Sequence, residues 1–329
     1  MRVIQFALTV LLMMLLLCRP AAAALGALDA MVCWATTVAP AMFPFMALLP
    51  MLTSDVSGKL CARWIGRPME RLYRLPGQAA SVMLVAMVGG SPAGALAARR
   101  ASGLNRGQMK RLALCACGWS PAFLVGGVGV GMLGDATLGH TLLRAQLATQ
   151  LLTPLLLRRA WRDDGERLFP LSQDEVEQPV RGAVLAILTV CGWMTLFGAV
   201  GKAAGALVGE ARALPALCLA DAISGMQHVS GLDIDPGAKL CAIAALCGLG
   251  GGCVALQNLS VLKPVGVKVM EYVLVRLLAA VEMAAFIWLQ VALNWKICVI
   301  FEPRPLALAA LCATALTFLT LLSMKKTNN

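Results

Sequence analysis

Charge is scarce in this sequence. Only 14% of the 329 residues are Asp, Glu, Lys or Arg, against about a quarter in soluble domains. Apolar residues make up 59%, and the mean hydropathy is +0.78. That balance excludes an ordinary soluble domain. Acidic residues are the scarcer sign, 17 against 28 basic, for a net charge of +11. The basic residues lie in short segments between apolar runs, a pattern that reports membrane orientation, so no nucleic-acid partner is expected. Histidine is nearly absent: His140 and His228 are too far apart in sequence to argue a metal site. No Cys-x-x-Cys pair has a second pair or a histidine cluster beside it. The twelve cysteines lie mostly in apolar stretches, as in LCAC at 114–117 and CAIAALC at 241–247, and read as small buried hydrophobes. No nucleophile elbow, phosphate loop or zinc-protease signature occurs, so no enzyme and no resident cofactor are expected.

What the sequence has is apolar length. Candidate segments run over 3–24, 30–52, 78–98, 112–134, 137–157, 182–208, 214–232, 238–262, 265–290 and 306–323. Most have the roughly 18 to 25 residues needed to cross about 30 Å of hydrocarbon. The N-terminal MRVIQFALTVLLMMLLLCRPAAAA has the outline of a signal peptide, but its apolar core is long and another segment follows at once. An uncleaved first helix is expected.

The chain reads as two similar halves. ALCACG at 113–118 recurs as ALCGLG at 245–250. HTLLRAQLATQ at 140–150 recurs as YVLVRLLAAVE at 272–282, which sets Arg144 against Arg276 and Gln150 against Glu282. SGLN at 102–105 recurs as SGLD at 230–233. The organisation expected is an N-terminal helix and linker over 1–29, a first repeat over 30–157, a cytoplasmic linker over 158–181, a second repeat over 182–290, and a C-terminal membrane helix over 291–329.

Charge then sets topology. The loop 53–77 carries Lys59, Arg63, Arg67, Arg71 and Arg74, and the loop 99–111 carries Arg99, Arg100, Arg106, Lys110 and Arg111. Both face the cytoplasm only if 78–98 enters and returns on one side. Its central Gly-Gly-Ser-Pro leaves arms of about eleven and eight residues, roughly 12–17 Å of helix and too short to span. The segment 214–232 is interrupted likewise and flanked by the acidic Glu210, Asp233 and Asp235. The result is eight crossings, two re-entrant hairpins and both termini in the cytoplasm. Three crossings per repeat make the repeats inverted. The fold class expected is an all-α polytopic membrane protein of the secondary-transporter plan.

The breaks supply the candidate site. Gly90, Ser91, Pro92 and Gly94 are echoed by Ser120 and Pro121, with each serine placed to cap a half-helix and each proline suited to its first turn. Exposed half-helix N-termini favour an anion. The counterparts in the second half are Asp221, Ser224 and Gly225, and Gly251 followed by Gln257 and Asn258. For Asp221 two readings are open: a ligand for a coupling cation or proton, and a simple helix cap. Arg144, Arg276 and Glu282 are the other intramembrane charges. Arg144 is read as reaching for the interface, Arg276 lies deeper, and Glu282 either balances Arg276 or carries a proton.

These residues resemble the YlbJ-type sporulation integral membrane proteins, which contain the nucleoside-recognition Gate domain. The resemblance is carried by Trp34, VAPAMFPF with Pro40 and Pro44, RPMERLYRLPG at 67–77, GGSPAGA at 89–95, SPAFLVGGVGVGM at 120–132 and GLGGGCVALQ at 248–257. Ser91 departs from the aromatic residue that many relatives carry before the proline, and Asp221 from the usual glutamate. The resemblance implies a core similar to that of the concentrative nucleoside transporters. It also implies transport of dipicolinic acid, a small aromatic dianion, across the outer forespore membrane of a sporulating bacterium. H+ or Na+ coupling and the oligomeric state are open. The alternatives are a nucleoside or related permease, and a sporulation membrane scaffold that moves no solute.

Overall fold

Apolar sequence of this kind satisfies its backbone internally, and helices result almost throughout. The computed structural model describes residues 2–52, 55–101, 103–161, 167–168 and 179–292. The linker residues 162–166 and 169–178, and the expected C-terminal helix 306–323, lie outside the described residues.

Helices α1 (Arg2–Cys18) and α2 (Pro20–Cys33) open the chain. A π-helical turn, Trp34–Val38, joins α2 without interruption to α3 (Ala39–Leu52). The break expected near residues 25–29 therefore lies earlier, at Arg19, where φ is −137° and Pro20 opens the next helix. Helix α4 (Asp55–Pro68) and a second π turn, Met69–Tyr73, lead to the short pair α5 (Ala79–Gly89) and α6 (Ala93–Arg100), which pack on each other. Their lengths, 11 and 8 residues, match the expected arms. Next comes α7 (Arg106–Cys115), interrupted before a wide-bore π segment, Phe123–Met132, and then α8 (Ala136–Leu156).

Helix α9 (Pro179–Val208) begins the second half, and the same order of elements returns. The short pair α10 (Glu210–Ala220) and α11 (Ala222–Ser230) pack together. An interrupted helix follows as α12 (Pro236–Leu249) and α13 (Gly251–Leu262), and then the long α14 (Val269–Ala292). Matching caps start the interrupted helices. Asn105 and Gln108 form a reciprocal capping box at α7, and Asp235 accepts from Ala238 N at 2.9 Å at α12.

Among the described residues, four stretches are long and apolar enough to cross a membrane: Pro20–Val38, Val180–Val208, Pro236–Val265 and Val269–Ala292. The all-α polytopic expectation holds, with one small addition. A two-residue antiparallel ladder pairs β1 (Leu104–Asn105) with β2 (Arg167–Leu168), tying the linker to the loop before α7. Beside it Glu271 of α14 accepts from Trp161 Nε1 at 2.8 Å and pairs with Lys110 of α7 at 3.3 Å.

Helices α2 and α9 cross in close contact. A Cβ built on Gly26 would lie 2.3 Å from the Gly198 carbonyl oxygen, so only glycine permits this crossing. Small residues let backbones approach where lipid supplies no hydrophobic drive to associate. Helix α9 is thus held against the first part of the chain while it packs on α10 and α13, the position from which it lines the candidate site.

Candidate solute site at the helix breaks

Each break has a local cause. Helix α5 stops because Gly90 has φ +62° and ψ −160°, a conformation that favours glycine. A Cβ there would also meet Ser120 N at 2.5 Å, so the two breaks of the first half are in contact. Ser91 N donates to Gly118 O at 2.6 Å and joins them further. In the second half Gly250 and Gly251, at φ +78° and +68°, separate α12 from α13. A Cβ on Gly251 would lie 2.7 Å from Ala222 N, at the break between α10 and α11.

The halves meet through side chains. Trp119 Nε1 donates to Cys247 O at 2.8 Å, and Asn258 Nδ2 donates to Ser91 Oγ at 3.2 Å and to the Tyr272 hydroxyl at 2.9 Å. Arg276, 7% exposed, donates to Cys117 O. Four breaks separated by up to 160 or so residues of sequence therefore form one layer.

The expected caps divide. Ser120 Oγ accepts from Phe123 N at 3.2 Å, as anticipated. Ser91 caps nothing, because α6 starts one residue late: Pro92 sits outside the helix with φ −88° and ψ 2°, and Ser91 turns to Asn258 instead. Asp221 caps α11, accepting from Ile223 N at 3.3 Å, Ser224 N at 3.1 Å and Ser224 Oγ at 2.5 Å. The helix starts left without a side-chain cap at these breaks are those of α6 and α13. Asp221→Ala is expected to destabilise the protein by about 1–2 kcal/mol, with Asp221→Asn closer to wild type. Thermal unfolding measures this. Uptake lost in the Asn variant at unchanged stability would assign Asp221 a charge-dependent role instead.

The remaining expected site residues separate by role. Gly94 packs α6 against α5 and α7, and Gly225 packs α11 against α10, where an added Cβ would lie 2.9 Å from Cys218 Cα. Pro92 and Pro121 shape the breaks, while Ser91 and Gln257 line a cavity together. Arg144 is half-buried and donates to Thr141 Oγ1 at 2.9 Å. Glu282 accepts from Thr153 Oγ1 at 2.6 Å, and at six residues from Arg276 on α14 it projects from a different face.

Three cavities follow one face of α9. The first, of about 230 Å³, lies against Gly182, Leu185, Ala186, Thr189 and Val190, facing α6 and α13. The second, of about 20 Å³, lies against Val190 and Met194 and is walled by Ser91, Trp119, Phe123, Ile223 and Gln257. The third, of about 270 Å³, lies against Met194, Phe197, Gly198, Gly201 and Gly205, with Asp29, Lys202, Asp221 and His228 around it. Val190 and Gln257 line both of the first two, and Met194 and Ile223 line both of the last two. Spacings of three and four residues put these α9 positions on one stripe. From Gly182 to Gly205 that stripe runs about 35 Å at 1.5 Å per residue. The middle cavity has room for about one water molecule.

The wall residues Trp119, Val190 and Met194 were not singled out by sequence reasoning as site residues. The visible signal was the recurrence of Gly198, Gly201 and Gly205 along α9. Among the described residues no group of three His, Cys, Asp or Glu is placed to hold a metal ion.

Compared with known proteins, the chain is 25% identical over 312 residues to the sporulation integral membrane protein YlbJ of Bacillus subtilis strain 168, covering 80% of this chain and 75% of that protein. This chain is a YlbJ homologue. No family model and no solved structure matches it. The YlbJ likeness spans most of the chain and agrees with its apolar helices in placing this homologue among integral membrane proteins.

Proposed function

We propose that this YlbJ homologue transports a small anionic aromatic solute, dipicolinate, across the outer forespore membrane. Two inverted repeats would move against each other around the layer of helix breaks, with α5–α6 and α10–α11 as re-entrant pairs and both termini in the cytoplasm. The observation that carries this reading is the row of cavities along α9. Two solute-sized spaces lie on opposite sides of a 20 Å³ constriction. A pyridine ring does not fit through that constriction, which favours alternating access over an open pore. Trp119 and Phe123 stack with ring centroids 4.7 Å apart and present aromatic surface at the constriction, which suits a flat ring.

The same surface suits a nucleobase, so a nucleoside permease is the second reading. Uptake of labelled dipicolinate into proteoliposomes is expected, with unlabelled dipicolinate competing at least tenfold better than uridine. The reverse order would establish the nucleoside reading. Absence of uptake for both would favour a scaffold. Imposed H+ and Na+ gradients in the same vesicles identify any coupling ion.

A further inference from the structure

The cavity of about 230 Å³ between α6, α9 and α13 has, among the described residues, one cation and no acidic residue in its wall. Its polar lining is Arg99, Thr189, Gln257 and Ser260. Thr189 Oγ1 donates to Leu185 O at 2.8 Å and Ser260 Oγ donates to Gln257 O at 2.6 Å, so both hydroxyl hydrogens are spent within their own helices. Two donors remain. Gln257 is 5% exposed, and its amide nitrogen meets only Cys253 Sγ, at 3.5 Å. Arg99 is half-buried, and among the described residues its guanidinium has no hydrogen bond or ion pair. A half-buried guanidinium beside a buried, weakly bonded amide is electrostatically incomplete. The cavity at the other end of the row differs, because Asp29 and Asp221 oppose Lys202 and His228 there.

We infer that Arg99 and Gln257 form a carboxylate-binding subsite at the mouth of the route. Arg99 takes the carboxylate in a two-bond fork, as planar guanidinium geometry allows. Gln257 lines both this cavity and the constriction, so it contacts the anion as the solute moves inward. The inference rests on the transport reading and adds to it the residue that selects for negative charge. An anionic lipid headgroup offers similar oxygens, and the experiment separates the two.

Uptake of dipicolinate is measured with full-length protein in phosphatidylcholine vesicles, and equilibrium binding in phosphatidylcholine nanodiscs. Arg99→Gln is expected to raise the half-saturating concentration by about ten- to a hundredfold, the worth of a charge-assisted hydrogen bond, with the maximal rate nearly unchanged. Arg99→Lys, which keeps the charge without the fork, should fall between. The neutral diamide of the same acid should compete equally weakly against wild type and Arg99→Gln, a readout that a general folding defect does not produce. Arg67→Gln, exposed on α4, is the control and should match wild type. Wild-type uptake that Arg99→Gln leaves unchanged overturns the subsite while transport stands. An Arg99 effect seen only in phosphatidylglycerol vesicles also overturns it, in favour of lipid. If wild type moves nothing, the transport reading fails. Nanodisc binding then decides: Arg99-dependent binding upholds the subsite, and none overturns it.

Discussion

Val190→Trp is expected to lower solute uptake by roughly a hundredfold or more, equivalent to about 2.7 kcal/mol on the transport barrier. Val190 is 5% exposed and lines both the constriction and the cavity beside Arg99. A constriction of about 20 Å³ has no room for an indole ring. The ring must project into the wider cavity and obstruct it. Overpacking of this kind costs typically about 1–3 kcal/mol, so monodispersity and thermal unfolding are measured alongside uptake. Leu188→Trp is the matched control, because Leu188 is 52% exposed on the same helix and lines none of the three cavities. Equal uptake by the two variants would show that solute does not travel along this face of α9.

Gly94→Val is expected to abolish folding rather than transport alone. A Cβ at position 94 would lie 2.2 Å from Ala116 O and 2.9 and 3.0 Å from Ala86 Cβ and Cα, so rigid backbone on two sides blocks it. Even alanine forces α6 away from α5 and α7, and the branched side chain adds to the displacement. Losses above about 3 kcal/mol consume a large share of a typical stability of about 5–15 kcal/mol. Ser91→Ala should stay folded, since Asn258 Nδ2 keeps its bond to the Tyr272 hydroxyl. Size-exclusion profiles of the two variants give the comparison. A monodisperse Gly94→Val protein that lost only uptake would return Gly94 to the solute site.

The breaks were legible because their causes are local. Gly90 and Gly250 end α5 and α12 through positive-φ backbone conformations that need no partner, and both fall at breaks the sequence predicts. Asp221 caps α11 for a similar reason: its acceptor oxygens reach amides two and three residues ahead. Less local readings fared differently. Ser91 and Ser120 have the same Ser-Pro pattern, yet only Ser120 caps a helix. The difference lies in the partner Asn258, 167 residues away. The duplicated arginines likewise diverge, since Arg276 reaches the break at Cys117 and Arg144 bonds within its own helix to Thr141.

By itself the sequence determined the solvent this protein lives in, the breaks within its two short helix pairs, and the recurring order of its elements. Hydropathy, glycine and proline act within a few residues, and a short window contains all the physics they need. Tertiary structure alone decided which breaks meet, how closely Gly94 lets α6 approach α5 and α7, and that one face of α9 lines the three cavities. Those outcomes depend on contacts between residues far apart in the chain, where a Cβ, a carbonyl or a cavity matters only once a distant helix has been brought against it.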